Sequence, residues 1–253
     1  MKEKLLVLAK ACPIVSKKYK ELVCVAGVTD NGDWRRVYPV PWECFWSTSK
    51  NCFRKKQWIE YELRKNEPSD HRNESRKIEH ETIKLLKNED YADIRKILEK
   101  KLTTIEELVR QGHKKVSLGV IKPEIIGFIE GEKQGLDKMM KKKEQKNLFM
   151  DDAVRIDPMT KKYSYVFKCG NPECKSHTMM CEDWELSELY RRCEQYRKAG
   201  KYKDENEVFE KVKQRFFNDM IKKKEIYFIV GTHYRFNSFM IVGVIYPKNT
   251  DKF

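Results

Sequence analysis

The sequence predicts an α+β protein, and three observations carry that reading. Alternating or β-branched runs bounded by turn residues crowd the first 65 positions. Helix signals with caps and 3.6-residue periodicity occupy the middle and the third quarter of the chain. A pair of apolar runs around Gly231-Thr232-His233-Tyr234-Arg235 then reads as a closing hairpin. The expected architecture is a β-rich N-terminal half, in the form of a curled sheet or small barrel, with central and C-terminal helices and a small zinc-bound loop.

Taken in order, Leu5-Leu6-Val7-Leu8-Ala9 reads as a first buried strand, and Leu22 to Val28 as a second. Asp30-Asn31-Gly32-Asp33 is a turn, and Trp34 to Pro41 returns as a strand. On that strand Trp34, Arg36 and Tyr38 face one way, and Arg35 and Val37 the other. Its Pro-x-Pro end marks an edge or an exit. Trp58 to Leu63 alternates as a further strand, and Lys65 to Lys77 is a polar segment. Asp90 to Leu102 sets Tyr91, Ile94, Ile97 and Leu98 on one helical face, and Thr103-Thr104-Ile105-Glu106 opens a second helix. Ser117 to Ile129 returns to strand character, interrupted by Gly119 and Pro123. The lysine-rich stretch Lys133 to Met150 is a solvated helix or mobile loop. Tyr163 to Lys168 is a strand, Asp183 caps a helix reaching Lys198, and Val208, Val212, Phe216 and Met220 mark another. The expected division is a β-rich domain over 1–130, a basic linker over 131–162, and a unit over 163–253 able to pack with the first.

Charge narrows the function. Among 253 residues Lys and Arg number 53 against 39 Asp and Glu, a net charge of +14. That excess points to a polyanion, DNA or RNA, as partner. The first apolar run is too short for a signal segment and is followed by Lys10, Lys17 and Lys18, and no run reaches membrane-spanning length. The expectation is a soluble, cytoplasmic protein without membrane contact. No phosphate-binding glycine loop, nucleophile elbow or dinucleotide fingerprint is present, which argues against an ATPase, a serine hydrolase and a nicotinamide enzyme.

Three constellations could carry chemistry. Cys169-Gly-Asn-Pro-Glu-Cys174-Lys-Ser-His177-Thr-Met-Met-Cys181 gathers thiol and imidazole ligands around a Gly/Pro turn, the set tetrahedral zinc prefers. Cys181 is the nearest fourth ligand, with Cys193 and His233 as substitutes; a closed structural site is favoured over a three-ligand catalytic one. The second constellation is Trp34, Arg35, Arg36, Tyr38, Lys55 and Lys56, joined by the run Lys141, Lys142, Lys143. Cations there would meet phosphates while rings stack on bases. The third is Asp70-His71-Arg72-Asn73-Glu74-Ser75-Arg76. Here Asp70 and Glu74, aided by Asp183 and Glu185, are the candidate carboxylates of a Mg²⁺-dependent nuclease.

Trp34-Arg35-Arg36-Val37-Tyr38-Pro39-Val40-Pro41, Asp70-His71-Arg72-Asn73-Glu74-Ser75, Ser117-Leu118-Gly119 and Cys169…Cys174…His177…Asp183-Trp184-Glu185 together resemble a family of uncharacterised prokaryotic proteins. The resemblance spans most of the chain and brings no activity with it. It implies that Cys181 is not a regular member of the pattern, and that Asp70 to Ser75 is more than a connecting loop. The type of family suggests an accessory subunit of a defence or mobile-element complex. The leading expectation is therefore a zinc-stabilised nucleic-acid-binding protein. The nuclease is the alternative, and a basic protein-interaction subunit that meets other protein chains is a third reading.

Overall fold

The computed structural model describes residues 1–11, 14–15, 21–45, 51–112, 115–133, 159–222, 225–233 and 238–247. Lys141, Lys142, Lys143 and Trp46 lie outside the described residues. The architecture is α+β, as the sequence predicts, with its β-rich half at the N-terminus.

Six strands form the first sheet: β1 (Lys2–Lys10), β2 (Ile14–Val15), β3 (Glu21–Thr29), β4 (Trp34–Pro41), β5 (Gln57–Leu63) and β6 (Ser75–Asn88). β1 pairs antiparallel with both β3 and β5. β3 continues to β4, β4 runs parallel to β6, and β6 pairs back onto β5. The sheet therefore curls round on itself. Alternation along β1 separates two cores: Leu5 and Val7 pack inside the curl with Val25, Val37, Ile59 and Ile78. Leu6 and Leu8 face outward against Leu118, Val120, Ile229 and Val242.

Those outward partners belong to a second sheet, β7 (Leu118–Ile121), β11 (Tyr227–Thr232) and β12 (Phe239–Ile245). The layers touch closely: a Cβ on Gly243 would sit 2.8 Å from the Leu8 carbonyl oxygen, so only glycine fits there. Helix α1 (Tyr91–Glu99) buries Tyr91, Ile94 and Leu98 in this middle core.

A third sheet, β8 (Glu124–Glu132), β9 (Lys161–Lys168) and β10 (His177–Met180), carries the remaining core. It packs with α2 (Ile105–Gln111), α3 (Trp184–Lys198) and α4 (Glu205–Lys213) through Leu108, Phe128, Tyr163, Tyr165, Tyr190 and Val212. The last helical stretch is not one regular helix. Gln214–Asn218 widens into a π-helical turn before the short α5 (Asp219–Ile221).

Three strands escape the sequence reading, the two-residue β2 among them. In β6 half of the residues are charged or histidine, and only Ser75, Ile78 and Ile83 are buried, so the period-two signal is faint. β10 is four residues long and buries only Met179.

Candidate metal centre and the buried charge clusters

The metal centre is built by a helix start and a strand turn. Thr104 caps α2, its hydroxyl accepting from the Glu107 amide at 3.2 Å, which leaves Glu106 in the first turn. β9 delivers Cys169, and Gly170 at φ 86° lets the chain reverse. Asn171 then holds the turn, its side chain accepting from the Glu173 amide and its carbonyl from the Cys174 amide. His177 opens β10 opposite Phe167.

One ligand atom each from Glu106, Cys169, Cys174 and His177 lies within 4.8 Å of the others. Among the described residues this is the one such group of three or more His, Cys, Asp or Glu side chains. Glu106 Oε2 accepts from Cys169 Sγ at 2.9 Å, and Glu106 Oε1 is 2.9 Å from His177 Nε2. Burial and the Glu106 carboxylate push the Cys169 thiol up to about 11. Burial opposes ionisation of Glu106, yet hydrogen bonds from Cys169 and His177 hold it below the usual carboxylate range.

Donor chemistry and spacing fit a metal ion. Tetrahedral zinc at about 2.3 Å from sulfur and about 2.0–2.1 Å from nitrogen or oxygen puts ligand atoms roughly 3.3–3.8 Å apart. Around such an ion any pair near the 4.8 Å limit must contract by about an ångström, and the 2.9 Å contacts of Glu106 with Cys169 and His177 must open by roughly half an ångström. The cluster can thus hold a metal ion, with four protein ligands that close its coordination shell. Cys181 is not among them. It is 4% exposed, bridges to Ile241, and burial raises its thiol well above the ordinary range. Cys193 is likewise in the core. Glu106 lies 63 positions before Cys169, and only its place in a capped first turn marks it in the sequence.

The arginine-rich strand is placed differently from expectation. Arg36 is 3% exposed and ion-pairs with Glu74, Nε to Oε1 at 3.4 Å. Its Nη2 donates to the carbonyl and hydroxyl oxygens of Ser117, each at 3.2 Å, and the Ser117 hydroxyl donates to Glu74. Nearby in sequence, Arg72 grips Asp70 at 2.6 Å and donates to the Thr232 carbonyl at 3.3 Å. Three motifs that carry the family resemblance therefore meet inside the fold, and their chemistry is mutual neutralisation. Arg36 does not present its guanidinium to solvent, and Glu74 and Asp70 spend their oxygens on Arg36, Ser117 and Arg72. Asp70 and Glu74 form no metal-ligating group with Asp183 and Glu185 among the described residues.

Lys55 is a second correction. It is 8% exposed, with Nζ 2.7 Å from Asp183 Oδ2, 2.9 Å from the Val244 carbonyl and 3.1 Å from Glu185 Oε2. Burial would depress its pKa, but the Asp183 and Glu185 charges and hydrogen bonds overcome that and hold it above the ordinary lysine range. Asp183 also accepts from the Glu185 amide at 2.8 Å, capping α3 as the sequence predicts, and from the Val244 amide at 2.7 Å. Lys10, at the end of β1, has no carboxylate in such contact among the described residues. It donates to the Phe53 carbonyl at 2.9 Å and lies 4.2 Å from the Phe45 ring centre, and burial lowers it to about 8.

The other expected contacts divide. Arg35 ion-pairs with Glu3 at 2.9 Å, Lys56 donates to the Tyr246 carbonyl at 3.2 Å, and Trp34 packs on the middle core beneath Lys101. Tyr38, at 36% exposed, is the aromatic of that strand that reaches solvent.

Comparison with known proteins adds the family. Residues 1–102 match the family model of a domain of unknown function, DUF8758. No curated protein matches the chain. The first range holds the six-stranded sheet, and the buried ion pairs tie it to the rest: Arg36 and Glu74 to Ser117, Arg72 to Thr232, Lys55 to Asp183. Residues 99–253, more than half of the chain, match the model of a second domain of unknown function, DUF8757, and the protein belongs to that family.

Proposed function

We propose that the protein is a zinc-stabilised nucleic-acid-binding protein. The observation that carries this reading is where its charge resides. Inside the fold, Arg36, Lys55 and Arg72 each have a carboxylate partner. These pairs cancel one another in the core, so the +14 excess of the whole sequence comes from other basic residues. Lys77, Lys84, Lys122, Lys168 and Lys175 are among the described lysines exposed to solvent. Such a surface attracts phosphate backbones and releases their counterions, a sequence-independent contribution that falls steeply with salt. Zinc is the ion that best suits two thiols, an imidazole and a carboxylate in a closed shell, and its role here is to hold the β9–β10 turn against α2.

The test is a salt titration of labelled single- and double-stranded DNA and RNA, with Mg²⁺ present and strand integrity followed on a gel. Binding whose logarithm falls linearly with the logarithm of salt, on intact strands, supports the reading. Absence of binding at low salt overturns it and points to an acidic protein partner. Divalent-dependent fragments would instead make the protein a nuclease.

A further inference from the structure

We infer that Cys169 and Cys174 are also a redox modification site, at which a hydroperoxide forms a disulfide, ejects the metal and loosens the first turn of helix α2. This rests on the metal-centre reading above. The two sulfur atoms lie within 4.8 Å of each other. A disulfide requires sulfurs at about 2.05 Å and Cα atoms roughly 4.4–6.8 Å apart, so the chain must already double back. It does so here: Gly170 has φ 86°, and the Cys174 amide donates to the Asn171 carbonyl at 3.0 Å. No other described cysteine belongs to the group.

Access and ligand count set the outcome. The thiols are 3% and 9% exposed, but the Glu106 and His177 side chains are 38% and 22% exposed, so a small oxidant reaches the sulfurs past the carboxylate. One metal-bound thiolate attacks the peroxide oxygen and breaks the O–O bond, becoming a sulfenic acid while the alcohol leaves with one proton. The second thiolate attacks that sulfur and forms the S–S bond, and the hydroxide expelled takes up a second proton as water. The two thiolates supply both electrons that reduce the peroxide. Only Glu106 and His177 then remain, half the ligands a tetrahedral zinc holds, and the ion departs to solvent. Glu106 is the polar link between α2 and the β9–β10 turn, while Ile105 and Leu108 keep the helix on the core. A helix of seven residues has little stability of its own, so losing that link loosens its first turn.

The experiment uses the full chain with zinc bound, treated with hydrogen peroxide. Released zinc is followed with a chelating dye, thiols by alkylation and peptide mass, and residues 103–112 by hydrogen exchange. The expected result is one zinc released per disulfide, a cross-linked Cys169–Cys174 peptide, and faster exchange over α2, all reversed by a dithiol with added zinc. Cys193→Ser, which leaves the pair intact, should behave as the parent does. Zinc retained under peroxide, or released with sulfinic acids and no disulfide, overturns the inference while the metal centre stands. A chain that binds no zinc overturns both.

Discussion

The metal group and the Lys55–Asp183 cluster face one electrostatic problem and solve it differently. Each places a carboxylate beside buried polar atoms, where an unmatched charge is costly. At Asp183 the chain supplies its own cation: Lys55 sits 2.7 Å away, and the Val244 and Glu185 amides take the remaining lone pairs. At Glu106 the surrounding groups are two thiols and an imidazole, and the charge that acts on it most is that of His177. A cluster of ligand atoms without a lysine or arginine can hold an ion from solution, as proposed above. Asp183 is wholly buried and matched by the chain itself, whereas Glu106 stays partly open to water.

The largest effect should come from removing the Asp183 anion. Asp183→Ala leaves Lys55 buried without its closest partner, and should cost about 3–5 kcal/mol in urea denaturation. Lys55→Met made in the same chain should recover much of that loss, whereas additivity of the two would contradict a coupled pair. Metal addition should not rescue Asp183→Ala.

The metal group should respond oppositely. At free zinc one hundred times its dissociation constant, stability should rise by about 3 kcal/mol, and a chelator should remove the gain. Glu106→Ala and Cys174→Ser should abolish the zinc response, whereas Cys181→Ala should keep it. A zinc response lost in Cys181→Ala and kept in Glu106→Ala would reverse the ligand assignment.

Lys10 supplies a third, pH-dependent case. With its pKa lowered to about 8, it holds a proton less tightly folded than unfolded. Stability should therefore climb as pH rises from about 8 towards 10.5, by up to about 3 kcal/mol, and the climb should be missing in Lys10→Met. Parallel pH profiles for the two chains would show that Lys10 is not desolvated. Asp70 titrates in the acid range with the same sign, stability again rising with pH. Although burial would raise its pKa, hydrogen bonds and charge from Arg72 hold it below its ordinary value. Asp70→Asn should cost about 1.5–3 kcal/mol at neutral pH, and the gap should close as pH falls below 3.8 through the folded-state value. A gap that persists in acid would assign the loss to geometry instead of charge.

Local rules made much of this legible. Ile59, Tyr61 and Leu63 alternate as a half-buried strand must, Asp183 caps its helix, and Thr104 caps α2. Cys169, Cys174 and His177 declare themselves by type and spacing, since a turn of nine residues cannot separate them far. β6 was hidden because its charged residues decorate a sheet face in water, so burial occurs at too few positions to set a period. Arg36 and Lys55 read as phosphate contacts because a basic residue in a strand or loop gives no sign of a carboxylate 38 or 128 positions away.

The sequence alone determined the α+β class, the positive balance, the helix caps and three side chains of the candidate metal group, all consequences of neighbours within a few residues. Tertiary structure decided that Glu106, and not Cys181, completes the metal group. It also decided that the family's arginine and acidic motifs cancel one another around Ser117. The physical reason is common to both. Electrostatic partners are chosen by distance through space, and chain separation carries no information about that distance once strands from both halves pack against one another.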